Sequence, residues 1–330
     1  MARCQALLQR GEWVDDYTVR NPSLQADPKA LQWTHRRDGD ADIFFLSNVL
    51  DSAFTTVVRI PSAARLPEVW LPDTGEEPEE TLWRYNGSTM EVALHFDEFQ
   101  SCFIVLRKPA DSTASGANDE AFAAALRRET SVPAASSLPV GRPWTLRFPE
   151  GWDAPSEVTL DSLSPWNEHA DAGIRYFSGT ATYETTFKMK RLDRKARYVL
   201  DLGVVKNLAQ VEVNGLPVAH LWKKPFRCDV TKYLKRGTNT LKIAVTNLWP
   251  NRMIGDEQWP DDLQWGNDDP KSKPMSGMFL RSIPDWLRQG LPRPSEHRKT
   301  VVSIKFFGKD SPLLPSGLLG PVRLRTFTNE

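Results

Sequence analysis

Between Asn247 and Trp265 the chain reads NLWPNRMIGDEQWPDDLQW. It gathers three indoles (Trp249, Trp259, Trp265), four carboxylates (Asp256, Glu257, Asp261, Asp262), Arg252 and two carboxamides (Asn247, Asn251), with no helical or strand period. Aromatic faces can stack on the apolar faces of sugar rings while Asn, Asp and Arg bond hydroxyls in pairs, the usual chemistry of carbohydrate recognition. On that reading the three indoles are platforms, and Asn247, Asn251, Arg252 and Asp256 set orientation. The competing reading is structural: Trp249 and Trp259 seal the end of a sandwich and Arg252 pairs with Asp256 to hold the loop.

The acids admit a second chemistry, and WGNDDPK extends them with Asp268 and Asp269. Crowded carboxylates face solvent, bind a cation or raise one another's pKa, and a glycosidase acid/base pair needs the last of these. Asp256 and Glu257 are the candidates for such a pair, and His169 with nearby acids is the candidate for a metal-assisted hydrolase. Around it, SPWNEHADAG crowds Asn167, Glu168, His169 and Asp171 into one turn. Asn167, Glu168 and Asp171 offer oxygens suited to a structural calcium; the spacing fits no EF-hand, and a solvated turn is the plainer reading. The other histidines (His35, His95, His220, His297) form no HxxxH or HxH pair, and His220 is expected to pack beside Trp222 on a strand face. No nucleophile elbow, phosphate loop or dinucleotide fingerprint is present, so no cofactor is implied with certainty.

These residues need a scaffold, and the pattern is all-β. With 330 residues the prior is two domains. The runs LQWTHRR, ADIFFLSNV, FTTVVRI, PEVWLPD, MEVALHF and SCFIVLRKP, each closed by Gly, Pro, Asp or Asn, predict a small β-sandwich over residues 31–109. Before it, residues 1–30 hold a short helix at Ala2–Gly11 and an extended segment; after it, residues 110–143 form a Ser/Ala/Gly/Pro-rich linker with a helix through EAFAAALRRE. From residue 144 to 330 period two is plain: Tyr183, Thr185, Phe187 and Met189 share a face, as do Tyr198, Leu200 and Leu202, and Leu241, Ile243 and Val245. Asn214-Gly215 predicts a type I′ hairpin. Late strands at TVVSIKFFG and GPVRLRTF complete about eight antiparallel strands, a jelly roll.

Charge excludes some partners. The 42 basic residues balance 42 acidic ones, leaving no field to draw nucleic acid or an anionic membrane. Cys4, Cys102 and Cys228 are widely spaced and read as free, buried thiols. The start lacks the apolar core of a secretory signal and no run approaches a membrane span, so the sequence as given reads as cytoplasmic.

IRYFSGTATYETTF (Ile174–Phe187), the run from Val199 to Asp256 and SGLLGPVRL (Ser316–Leu324) resemble the galactose-binding-like jelly roll of glycoside hydrolases. The pattern is found broadly in family 2, and NLWPNRMIGD is closer to the C-terminal region of the family 106 α-L-rhamnosidases. LQWTHRRDGDADIFFLSN is similar to the β-domain before that jelly roll in the same enzymes, and ARCQALLQRG resembles a helix near the end of their catalytic portion. In the related domains LWKKPFRCDVT is a strand and turn close to the ligand face, which makes Trp222 and Arg227 further candidates for sugar contact. Those enzymes do their chemistry in a (β/α)₈ barrel, and this sequence has no alternating strand–helix series to form one. No catalytic carboxylate therefore carries over. The expectation is a carbohydrate-binding ancillary region of a rhamnosidase-like glycosidase. The alternatives are a stand-alone hydrolase built on the β scaffold, and a structural remnant that self-associates or docks on a separate catalytic barrel.

Overall fold

A computed structural model describes residues 19–20, 30–75, 77, 81–85, 87–110, 120, 136–266 and 279–328. The expected N-terminal helix, the linker helix apart from Glu120, Cys4, Asp268 and Asp269 lie outside them. The chain divides into two compact units, Met1–Pro133 and Ala134–Glu330.

The first unit is a β-sandwich. One sheet has the order β1 (Val19–Arg20), β4 (Phe54–Pro61), β7 (Thr89–Phe96), β6 (Leu82–Tyr85); the other runs β2 (Leu31–Asp38), β3 (Ala41–Asn48), β8 (Ser101–Pro109), β5 (Arg65–Trp70). Alternation places Leu46, Val58, Met90, Val92, Ile104 and Leu106 between the sheets. Each run predicted as a strand here forms one; β6 and the two-residue β1 are strands that periodicity missed.

The second unit is a jelly-roll β-sandwich. Its larger sheet runs β11 (Glu157–Leu160), β10 (Trp144–Arg147), β12 (Thr180–Met189), β18 (Gly237–Thr246), β15 (Leu208–Val213), β16 (Leu216–Leu221). Facing it are β17 (Arg227–Asp229), β13 (Ala196–Asp201), β20 (Arg323–Thr328) and β9 (Ser136–Pro139), with β14 (Val204–Lys206) paired to β19 (Gly317–Gly320). Tyr183, Phe187, Leu200, Leu241, Ile243 and Val245 point into the core. The β15–β16 turn is the predicted hairpin: Asn214 has φ 53 and Gly215 φ 80, the positive values that a type I′ turn needs. β16 is the outermost strand of its sheet, so His220 is exposed to solvent and does not pack as expected.

An aromatic stack fills the end of the core near residue 177. Phe148, Trp166 and Phe177 meet edge to face, with centroids 4.9–5.9 Å apart. The buried Trp166 indole donates to the Tyr183 hydroxyl at 2.6 Å, and that hydroxyl accepts from the Leu318 amide at 3.1 Å. Burial pushes the Tyr183 phenol upward, so it stays neutral.

Between β18 and β19 the described residues from Asn247 to Ser316 lie outside the sheets. The helix Pro250–Asp256 starts this excursion, with proline in its first turn, where a missing N–H costs nothing. The expected strand TVVSIKFFG does not form; a single bridge joins Phe279 to Ile304. At its start the amides of Lys299 and Thr300 point at the side chain of Asp256, so they are lost to any ladder.

Candidate functional site

The polar residues of the opening segment are largely buried, and protein groups occupy them. Asn247 accepts from the Gly179 amide at 2.9 Å and donates to the Phe177 carbonyl at 2.8 Å. Asn251 exchanges both ends of its carboxamide with the backbone of Leu314, at 2.7 and 2.8 Å. Asp256 is 1% exposed. Its Oδ1 takes Arg252 Nε at 2.9 Å and the Lys299 amide at 3.0 Å; its Oδ2 takes the amide and hydroxyl of Thr300, both at 2.7 Å. A buried carboxylate this fully supplied with donors ties two strands of chain together.

Arg298 makes the reciprocal tie. Also buried, it donates from Nη1 to the carbonyls of Asp256 and Trp259 at 3.0 and 3.1 Å, and from Nη2 to Glu257 at 2.8 Å. The segment 297–300 is thereby fixed against 256–259. Further out, Glu257 and Asp261 share Lys305, at 2.6 and 3.0 Å, and Asp262 takes Arg293 in a two-point contact at 2.7 and 2.8 Å. Burial alone would raise the Asp261 carboxyl, but Lys305, the Leu263 amide, the Trp265 indole and Arg298 together leave it lowered. Arg293 leads the causes that lower Asp262. Neither group is the protonated, raised-pKa acid that glycoside cleavage requires. The recess beside Glu257, Arg298 and Lys305 encloses about 20 Å³, room for roughly one water.

Around His169 the geometry is that of a turn. His169 Nδ1 accepts from the Asp171 amide at 3.1 Å, and Asp171 caps the short helix Ala172–Arg175 by accepting from the Ile174 amide. Glu168 is exposed, and the Asn167 side-chain oxygen is buried without a protein partner. Among the described residues no three His, Cys, Asp or Glu side chains gather as a metal site. Trp222 stands 62% exposed just past β16, and Arg227 on β17 is engaged by Asp201 at 3.0 Å, which also holds Arg325 at 2.7 Å.

The indoles behave differently from the polar set. Trp249 is 52% exposed and Trp259 44%, although both stand on rigid supports. Trp249 leans on Trp152, with centroids 5.9 Å apart, and Trp152 rests on Phe177 of the core stack. Trp259 lies flat against His297, with centroids 4.0 Å and planes 20° apart. Asp153, next to Trp152, reaches Lys299 Nζ at 3.2 Å and approaches His297 Nδ1 at 3.8 Å. Contacts therefore run without a break from Trp249 through Trp152, Asp153 and His297 to Trp259. Asp153 itself has φ 61, a left-handed conformation that Asp tolerates better than most residues and that is enriched at ligand sites.

Trp152, Asp153, His297 and Lys299 were not among the residues singled out by spacing. The turn FPEGWDAP, with proline on both sides and glycine before the indole, is a signal that points to Trp152. Nothing in the sequence pairs His297 with an indole 38 positions earlier; only the Asp256 and Arg298 ties do that.

Comparison with known proteins places this fold. Residues 162–292 match the family described as glycosyl hydrolase 2 galactose-binding domain-like. A protein of Formosa agariphila provisionally named a beta-glucuronidase is 43% identical over 189 residues, which is 57% of this chain and 15% of that protein. The structure of a rhamnosidase from Novosphingobium sp. PP1Y aligns with 98% of this chain and 26% of its own length, at 29% identity and a TM-score of 0.66. The chain thus resembles the β-domains of glycoside hydrolases of the rhamnosidase and family 2 kinds. It spans about a quarter or less of the relatives it matches.

Proposed function

We propose that this chain is a carbohydrate-binding, non-catalytic ancillary region of a rhamnosidase-like glycoside hydrolase. One observation carries this reading: the polar groups of the acidic segment are consumed in holding it rigid, while Trp249 and Trp259 are held half-exposed upon it. Side chains as large and apolar as these are left in solvent at a cost unless something covers them. Pre-set aromatic faces lose little entropy on binding a sugar. The Asp261 and Asp262 side chains are likewise engaged, by Lys305 and by Arg293.

The test is a glycan array probed with the purified chain, run beside a turnover screen on aryl glycosides. Binding without turnover is the expected result. Turnover that survives repurification and is lost in Glu257→Gln or His169→Ala would establish the stand-alone hydrolase in its place.

A second reading has its own observation. Phe279, Ile283, Leu287, Leu291 and Phe306 are each 45% or more exposed along one segment of the excursion. Apolar exposure of this kind suits a surface that rests on a catalytic domain. Light scattering of the chain alone, set against Ile283→Ser, reports whether this segment drives association.

A further inference from the structure

We infer that Trp259, Asp153 and Lys299 form a binding subsite for a neutral oligosaccharide, with Trp152 and Trp249 as a second platform beside it. The inference rests on the carbohydrate-binding reading and goes further by naming the polar residues and the ligand class.

The argument starts from the indole of Trp259. One of its faces is covered by His297, and it is nonetheless 44% exposed, so the exposure belongs to the opposite face and the edge. The imidazole backs the ring and fixes its plane, so the open face meets a pyranose without first being ordered. At the His297 edge of this stack lies the Asp153 carboxylate, 3.8 Å from Nδ1, and the Lys299 ammonium, which also donates to the Glu296 carbonyl at 2.7 Å, meets it at 3.2 Å. A carboxylate accepts from hydroxyls and an ammonium donates to them, so the pair can read adjacent hydroxyls of one ring in both senses. The two side chains are 37% and 19% exposed, open enough to be reached and enclosed enough to be held.

Charge selects the class of sugar. The Asp153–Lys299 pair is balanced, so with the neighbouring His297 imidazole neutral a uronate entering here would face the Asp153 carboxylate without a surplus cation to receive it. A neutral ring has no such penalty. Trp152 is covalently next to Asp153 and packs against Trp249, so a chain of sugars leaving the Trp259 platform meets a second aromatic surface past Asp153. The ligand is therefore an oligosaccharide. Each of these residues belongs to the second unit, and none is required for the buried ties at Asp256 through its side chain.

Binding of neutral gluco-, galacto-, manno- and rhamno-configured di- to tetrasaccharides, with uronic acid oligomers as charged controls, is measured on the full chain by titration calorimetry. Comparison variants are Asp153→Asn, Lys299→Met, Trp259→Ala and Trp249→Ala. Asn keeps the left-handed backbone of position 153, and Met keeps the stem of Lys299, so both variants isolate the charges. The expected result is a neutral oligosaccharide bound by the parent chain and weakened about tenfold or more by Asp153→Asn and by Lys299→Met, with unchanged melting temperatures. Trp259→Ala weakens it at least as much, and Trp249→Ala weakens longer oligosaccharides more than disaccharides. If the parent binds a sugar but Asp153→Asn, Lys299→Met and Trp259→Ala stay within twofold of it, this subsite is wrong and the broader carbohydrate-binding reading stands. Preference for the uronic acid oligomers overturns the assignment of class. No binding to any of these sugars or to the array removes both.

Discussion

Arg298 donates to the main-chain carbonyl of Asp256 at 3.0 Å, while the Asp256 carboxylate receives the amide of Lys299, the residue next to Arg298. Each of these two segments thus holds the other through a buried charge. The consequence reaches the surface, because His297 and Lys299 flank Arg298 and Trp259 follows Asp256 by three residues. A polar pair with almost no exposure decides where an exposed indole stands.

Asp256→Ala leaves the Arg252 guanidinium buried without its partner and strands the amides of Lys299 and Thr300. The loss in unfolding free energy is expected to be about 3–5 kcal/mol, read from urea denaturation. A variant within 1 kcal/mol of the parent, by the same order of reckoning for a buried charge, would show that solvent replaces these bonds.

The carboxyl of Asp262 is lowered chiefly by Arg293, so folding favours its charged form. Its stabilisation is complete above the unfolded carboxyl value of about 3.9 and is lost as pH falls through the lower folded value. Denaturation midpoints followed from neutral pH into acid should fall along this limb. Arg293→Met should start lower and fall less steeply; parallel curves for the two proteins would mean that the pair contributes nothing.

Gly173 leaves no room for a side chain. A Cβ there would lie 2.1 Å from the Asp153 carbonyl oxygen and 2.7 Å from the Ala154 Cα. Gly173→Ala must push the Trp152–Asp153 turn outward, at a cost of about 1–3 kcal/mol. A lower melting temperature with altered tryptophan fluorescence is expected, and sugar binding should weaken with it. An unchanged spectrum would place the accommodation in the helix Ala172–Arg175.

Burial pushes the thiols of Cys102 and Cys228 up to about 12, with Asp229 adding to the effect at Cys228. Little thiolate exists at either position near neutrality, so both should resist iodoacetamide in the folded chain and react once urea is added. Cys228 is only half-buried, not buried as expected, so its native labelling, mapped by peptide mass, would show that this exposure outweighs the raised thiol.

What the sequence determined by itself is the β framework. Tyr183, Phe187 and Met189, or Leu241, Ile243 and Val245, must face inward together because side chains alternate across a strand, and Asn214-Gly215 closes its hairpin because both residues accept positive φ. These are constraints of neighbouring residues, and a linear pattern records them. The pairing of Arg252 with Asp256 was legible from charge and nearness alone, as the brace of a loop; the helix Pro250–Asp256, which puts residues four apart on one face, came only with the structure. Tertiary structure alone decided which groups of the segment 247–265 meet solvent. Asn247, Asn251 and Asp256 were equally good candidates for sugar contact by type, and they are consumed by Gly179, Leu314, Lys299 and Thr300, whose backbone groups arrive from distant parts of the chain. The same folding sets His297 on Trp259 and Asp153 beside Lys299. No local rule links such positions, because a buried hydrogen bond depends on where the backbone returns, and that is fixed only when the whole sandwich closes.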